Sequence, residues 1–208
     1  MQPERLLDRE HLAPRIRTLI GCATAIWHAD WPRLERWAEL ARQLGQPRAD
    51  IEETLLQCVL FCGFPRVITA FEHAARAWPS ERPPQGGALP PERQRAAGEE
   101  LFATIYGKNQ TAVRAMLASY HGELHDFVFE AAYGRILTRP HLPPQTRELI
   151  AVGVLVAQRQ KRQFAGHARG AMHLGASLEE LREVLVTALA DDGADTDAAI
   201  APWLARIH

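Results

Sequence analysis

This 208-residue chain has few cysteines, no excess of charge of either sign and no long apolar run. Three cysteines, an odd number without framework spacing, do not predict disulfides and are typical of a reducing compartment. The 24 basic and 25 acidic residues give a net charge of −1, whereas a dedicated nucleic-acid binder usually carries a basic excess. The longest apolar run, Leu149 to Ala157, is about half of what a bilayer span needs. We therefore expect a cytoplasmic protein that binds neither nucleic acid nor membrane, and the N-terminus shows no signal-peptide pattern.

The composition favours helices over strands. Alanine occurs 33 times, aromatic residues make up only 7%, and no alternating run of β-branched residues persists. The sequence therefore predicts an all-α protein in which helical hairpins pack through small residues.

The chain also repeats itself. Residues 12–59 and 142–189 align without a gap at an offset of 130, with eleven identical positions. Shared helical composition explains matched alanines and leucines, but it does not explain Pro14 with Pro144 in the same register. We interpret the two segments as copies of a duplicated three-helix unit.

Composition divides the chain into three parts. Residues 1–78 are predicted to form the first helical repeat, and residues 93–208 form the second, which carries the candidate site. Between them, residues 79–92 contain five prolines and two glycines, which indicates a linker or surface loop. We expect one compact domain overall.

The two copies differ at a pair of polar positions. The second copy has Glu148 in its first helix and His167 in its second, where the first copy has Thr18 and Trp37. A carboxylate facing an imidazole fixes the ring's tautomer and raises its basicity, which suits proton transfer. The alternative is a salt bridge that only holds two helices together. In both cases we expect the side chains to lie about 3 Å, or one water molecule, apart.

Two other groups of residues have a functional and a structural interpretation. Arg159, Lys161 and Arg162 cluster where the second helix of copy two begins, so they form either an anion site or a solvated basic turn. Cys58 and Cys62 are four residues apart, and they are either a redox or metal pair or buried structural thiols.

Several stretches of the second half carry a family resemblance. They are Gly98 to Gly107, Tyr133 to Arg135, Arg139 to Leu149, His167 to Ala171 and Gly175 to Leu181. Through them the chain resembles the carboxymuconolactone decarboxylase family of the alkylhydroperoxidase D-like superfamily. The resemblance implies an alkylhydroperoxidase D-like helical bundle, a homo-oligomer, and cofactor-free chemistry on a small carboxylated substrate.

The chain departs from one branch of that superfamily. The alkylhydroperoxidase-D branch has a glutamate, a Cys-x-x-Cys pair and a histidine at fixed spacing. Counted from Glu148, that spacing reaches Gln160, Gln163 and His167. Glutamine forms neither a thiolate nor a disulfide, so a disulfide peroxidase mechanism is not expected at this site.

The sequence therefore predicts a carboxymuconolactone decarboxylase-like carboxy-lyase that uses no metal and no other cofactor. His167 is the candidate for moving protons next to a carbonyl, and Glu148 orients it and balances its charge. Four further residues are predicted to bind the substrate: Gln160, Gln163, Lys161 and Arg162. The alternatives are a non-catalytic, oligomeric small-molecule binder with a degenerate site, and a thiol-dependent peroxidase that uses Cys58 and Cys62.

Overall fold

The computed structural model describes residues 2–80, 86–190 and 196–207, and all regular elements in these ranges are helices. The predicted all-α class is therefore confirmed. The α-helices are α1 (Pro3–Leu7), α2 (Pro14–His28), α3 (Trp31–Gln43), α4 (Arg48–Gln57), α5 (Val59–Ala77), α6 (Pro91–Tyr106), α7 (Gln110–Tyr120), α8 (Gly122–Phe127), α9 (Pro144–Ala157), α10 (Lys161–His173), α11 (Leu178–Leu189) and α12 (Thr196–Leu204). A 3₁₀ turn (Gly107–Asn109) precedes α7, and a π-helix (Val128–Leu137) follows α8.

Local sequence signals set the ends of helices α9 to α11. Pro144 occupies the first position of α9, where a missing N–H removes no helical hydrogen bond. The Ser177 hydroxyl accepts from the Glu180 amide, and the Glu180 carboxylate accepts from the Ser177 amide, which forms a capping box for α11. Gly175, with φ 99°, allows the left-handed turn after α10.

The helices bury two hydrophobic cores. The larger core joins α1–α5 with α9–α12, and α2 and α9 pack closely at its centre. A Cβ on Gly153 would lie 2.7 Å from Ile20 Cγ2, so a glycine is needed for this approach. The smaller core, around Phe102, Phe129 and Tyr133, joins α6 to the π-helix.

The helices of the two predicted copies recur at the same spacing. α2, α3 and α4 begin 130 residues before α9, α10 and α11. Two buried ion pairs then cross between the copies, because Arg17 pairs with Glu183 at 2.9 Å and Arg147 pairs with Glu53 at 2.8 Å. Positions 17 and 147, and 53 and 183, are each 130 apart. Such reciprocal contacts are typical of a twofold arrangement.

The division of the chain into two helical repeats and a linker stays a prediction. A superposition of residues 12–59 on residues 142–189 is the measurement that tests the duplication. Of the predicted linker at 79–92, residues 81–85 lie outside the described residues, and Pro91 already begins α6.

The junction of α4 and α5 is sharply bent. No single helix among the described residues is long and apolar enough to cross a bilayer, and α4 and α5 pass that test only as a pair bent by 117°. Within α5, Gly63 has φ 75° and breaks the helix just before Pro65. The sequence signal Gly63-Phe64-Pro65 is therefore a kink inside α5.

Candidate active site

α9 and α10 bring Glu148 and His167 together. Glu148 is 1% exposed, and His167 Nδ1 lies 2.9 Å from Glu148 Oε2, so the predicted contact is present. A carboxylate can only accept a hydrogen bond, and Nδ1 of His167 therefore carries the proton. This tautomer leaves Nε2 as the ring nitrogen that can take up or release a proton.

The surroundings of the pair determine how basic the imidazole is. Burial lowers the pKa of His167, but the charge and the hydrogen bond of Glu148 raise it, and the net pKa is above its ordinary value. Gly170, one turn further along α10, leaves room for the carboxylate. A Cβ on Gly170 would lie 2.9 Å from Glu148 Oε2 and 2.6 Å from Ile105 Cγ2.

A cavity of about 610 Å³ opens beside His167, between α6, α7 and α10. Its polar lining residues, apart from His167, are Tyr106, Asn109, Tyr120, Arg162, Gln163, Arg169 and His173. No carboxylate is among the lining residues in the described part of the chain, and Glu148 lies behind His167. The cavity therefore presents basic and hydrogen-bonding groups, which favours an anionic ligand.

The four residues predicted to bind substrate divide into two groups. Arg162 and Gln163 line the cavity. Gln160 is the N-cap residue of α10, and Lys161 places its Nζ 5.8 Å from the ring centroid of Trp203. Neither Gln160 nor Lys161 lines the cavity, so the binding role of these two stays a prediction without structural support.

Sequence reasoning gave no binding role to the other polar residues of the lining, which include Tyr106, Arg169 and His173. His173 Nδ1 donates to the Ile105 carbonyl oxygen at 2.9 Å, and this bond fixes the ring against the end of α6. A signal for two of them was present, because Arg162, Arg169 and His173 stand at i, i+7 and i+11, which places them on one helix face.

The corresponding positions of the predicted first copy are filled differently. The Thr18 hydroxyl lies 2.8 Å from the side-chain oxygen of Gln46, and Trp37 is fully buried. The Trp37 ring packs directly on Gly21, in the space that a Cβ on Gly21 would occupy. This region has no counterpart of the carboxylate–imidazole pair at positions 18 and 37, so we assign these two positions to packing.

The cysteine pair lies at the start of α5. Cys58 is buried and Cys62 is partly buried. The hydrogen bond between the two thiols, together with burial, raises the pKa of Cys58 well above its usual range. The same hydrogen bond and the charge of Arg66 lower the pKa of Cys62, although burial opposes them. Among the described residues, no group of three or more His, Cys, Asp or Glu side chains is placed to hold a metal ion.

The fold and the site together define an all-α helical bundle in which a buried carboxylate pairs with a partly buried imidazole at the wall of a cavity. Residues 123–206, which include this pair, match the carboxymuconolactone decarboxylase family. This match confirms the resemblance that the motifs of the second half indicated.

Two known proteins are each similar to part of the chain. The 4-carboxymuconolactone decarboxylase of Acinetobacter baylyi is 29% identical over 96 residues, which cover 46% of this chain and 72% of that protein. Peroxisomal protein 2 of Schizosaccharomyces pombe is 28% identical over 141 residues, which cover 63% of each chain. The chain thus spans less than two thirds of the second relative.

Proposed function

We propose that this protein is a carboxymuconolactone decarboxylase-like lyase that acts on a small carboxylated lactone or unsaturated acid in the cytoplasm. The observation that carries the proposal is the contact of 2.9 Å between His167 Nδ1 and Glu148 Oε2 at the wall of a cavity. The match of residues 123–206 to the family and the similarity to a 4-carboxymuconolactone decarboxylase support it.

The proposed chemistry is a decarboxylation next to a conjugated carbonyl. The carbon–carbon bond to the carboxylate breaks, carbon dioxide leaves, and the electron pair moves onto the carbonyl oxygen as an enolate. Protonated His167 then gives its Nε2 proton to the carbon, and water restores that proton. Glu148 stabilises the imidazolium, because its buried charge lies against Nδ1.

Three residues of the lining, Arg162, Arg169 and Gln163, hold the substrate in this proposal. The Arg162 and Arg169 guanidinium groups bind a carboxylate that is not lost, and the Gln163 amide donates to a lactone oxygen. A substrate held in this way presents its reacting carbon to Nε2 of His167. No metal or organic cofactor is needed to balance these steps.

The test is decarboxylation of a panel of carboxylated lactones and unsaturated acids, with 4-carboxymuconolactone included. We expect carbon dioxide release by the wild-type protein and a loss of about 10²-fold or more in His167→Gln. His28→Gln is the matched control, since His28 is an exposed residue at the end of α2. Binding of a lactone without turnover would instead identify a non-catalytic small-molecule binder, and equal rates in His167→Gln and the wild type would contradict the proposed role of His167.

A further inference from the structure

Two phenols meet at the wall of the same cavity. Tyr106, the last residue of α6, lines the cavity, and the hydroxyl of Tyr133 lies 3.3 Å from the Tyr106 hydroxyl. We propose that Tyr106, oriented by Tyr133, donates a hydrogen bond to the substrate oxygen on which negative charge develops. This inference rests on the proposed function, since it concerns the enolate that forms as His167 acts.

The direction of the hydrogen bond follows from what surrounds Tyr133. Its side chain is 4% exposed, and its ring packs edge-on against Phe102 and beside Phe129. The Tyr133 hydroxyl therefore donates to the oxygen of Tyr106. A phenol oxygen that accepts a hydrogen bond still has its own proton to donate. Because Tyr106 lines the cavity, a ligand oxygen bound there can accept this proton.

Close backbone contacts hold the two phenols in place. A Cβ on Gly98 would lie 2.6 Å from the Gly134 nitrogen, so α6 and the π-helix touch backbone to backbone. This approach sets Tyr133, the neighbour of Gly134, beside the end of α6. The Tyr106 ring also lies against α10, because a Cβ on Gly166 would be 3.9 Å from Tyr106 Cε1. Gly166 immediately precedes His167, so the phenol and the imidazole belong to one wall.

The local electrostatics keep both phenols neutral. Burial raises the pKa of Tyr106, the hydrogen bond from Tyr133 opposes that rise, and the charge of Glu148 adds to it. Burial raises the pKa of Tyr133 further, and the neighbouring Tyr106 and Glu148 add to the rise. A neutral phenol is a donor, as an oxyanion requires.

The step balances without a further reactant. When the bond to the departing carboxylate breaks, its electron pair moves through the conjugated carbonyl to the carbonyl oxygen, and Tyr106 donates to that oxygen. When His167 protonates the carbon, the carbonyl forms again and Tyr106 keeps its proton. Tyr106 would thus touch the reacting atoms, whereas Tyr133 would act through Tyr106 as a positioning residue.

The test uses a stable oxyanion as a probe. 4-Nitrophenolate carries its charge on an oxygen, while 4-nitroanisole has the same ring and no charge. By absorbance titration we expect the wild-type protein to bind 4-nitrophenolate more tightly than 4-nitroanisole. We expect Tyr106→Phe to weaken 4-nitrophenolate binding roughly 10-fold or more, with 4-nitroanisole binding unchanged. Tyr133→Phe should give a smaller loss, because the donor remains but is no longer oriented.

Tyr120→Phe is the matched control, because Tyr120 also lines the cavity but is 59% exposed. The inference would be overturned if Tyr120→Phe weakened 4-nitrophenolate binding as much as Tyr106→Phe does, or if Tyr106→Phe did not weaken it. It would also be overturned if the wild type bound 4-nitrophenolate no more tightly than 4-nitroanisole. Repeating the titration in His167→Gln separates the two proposals. If Tyr106→Phe still weakens 4-nitrophenolate binding in the His167→Gln background, the donor role of Tyr106 is supported even if no lactone is decarboxylated. If lactone turnover is unchanged in Tyr106→Phe, the donor role is overturned and the proposed function is not.

Discussion

Gly170 is the residue at which a single methyl group should disturb the candidate site. In Gly170→Ala the added Cβ would meet Glu148 Oε2 at 2.9 Å and Ile105 Cγ2 at 2.6 Å. Ordinary carbon contacts lie at about 3.5–4.0 Å, so both the Glu148 carboxylate and the Ile105 side chain must move by roughly 0.5–1 Å. Glu148 is the softer partner, because its side chain can rotate, and rotation takes it away from His167.

The size of the effect follows from that displacement. Overpacking a dense core destabilises by about 1–3 kcal/mol, which exceeds the ~1 kcal/mol that alanine gains over glycine in a helix. A misplacement of about 1 Å in a catalytic group lowers the rate roughly 10²-fold. We therefore expect Gly170→Ala to lower both the free energy of unfolding and any decarboxylation rate.

Gly166→Ala is the matched control on the same helix. A Cβ on Gly166 would meet only Tyr106 Cε1 among the atoms within 4 Å in the described structure, at an ordinary 3.9 Å. This variant should be as stable as the wild type or about 1 kcal/mol more stable. Urea unfolding of both variants, with a ¹⁵N histidine spectrum for the ring of His167, makes the comparison. Equal stability and an unchanged His167 signal in Gly170→Ala would refute the reasoning.

Three further predictions concern other parts of the chain. Glu53→Gln should lower the free energy of unfolding by about 3 kcal/mol in urea, because it leaves buried Arg147 without its carboxylate, whereas Glu52→Gln should change it little. Burial raises the pKa of Glu53, but Arg139 and Arg147 lower it below its ordinary value overall. The ionised Glu53 therefore contributes to the free energy of unfolding at neutral pH, and this contribution is lost as the pH falls through the folded-state pKa. The acid-induced loss of stability should accordingly be smaller in Glu53→Gln than in the wild type. No steady consumption of an alkyl hydroperoxide with a dithiol reductant is expected, and consumption that is lost in Cys58→Ser would point to the thiol pair. The protein should elute as a homo-oligomer in size-exclusion chromatography with light scattering, and a monomer at all concentrations would contradict that expectation.

The helices and the central pair could be predicted because their signals are local. Pro144, Gly175 and the Ser177–Glu180 capping box lie next to the helix ends that they set. The contact between Glu148 and His167 was also predictable, because a short turn joins α9 to α10 and fixes which faces meet. These two side chains were singled out because positions 18 and 37, which are 130 residues earlier, hold Thr and Trp instead.

The rest of the cavity could not be predicted, because it depends on contacts between segments that are distant in sequence. Tyr106 reaches the site from α6, and its partner Tyr133 comes from a π-helix that no simple periodicity indicates. The direction of single side chains at the start of α10 was equally hard to predict. Each residue turns by about 100° around a helix, so Lys161 points toward Trp203 while its neighbour Arg162 lines the cavity.

The central claim is that Glu148 keeps a partly buried His167 basic and leaves its Nε2 for proton exchange. The most direct measurement is a ¹H–¹⁵N NMR titration of the His167 ring in the wild type and in Glu148→Gln, with His28 as an internal reference. The account predicts a proton on Nδ1, a pKa above the ordinary histidine value in the wild type, and a lower pKa in Glu148→Gln, where burial lowers it without the opposing charge. A His167 that titrates at the same pH in both proteins, or that carries its neutral-state proton on Nε2, would contradict it.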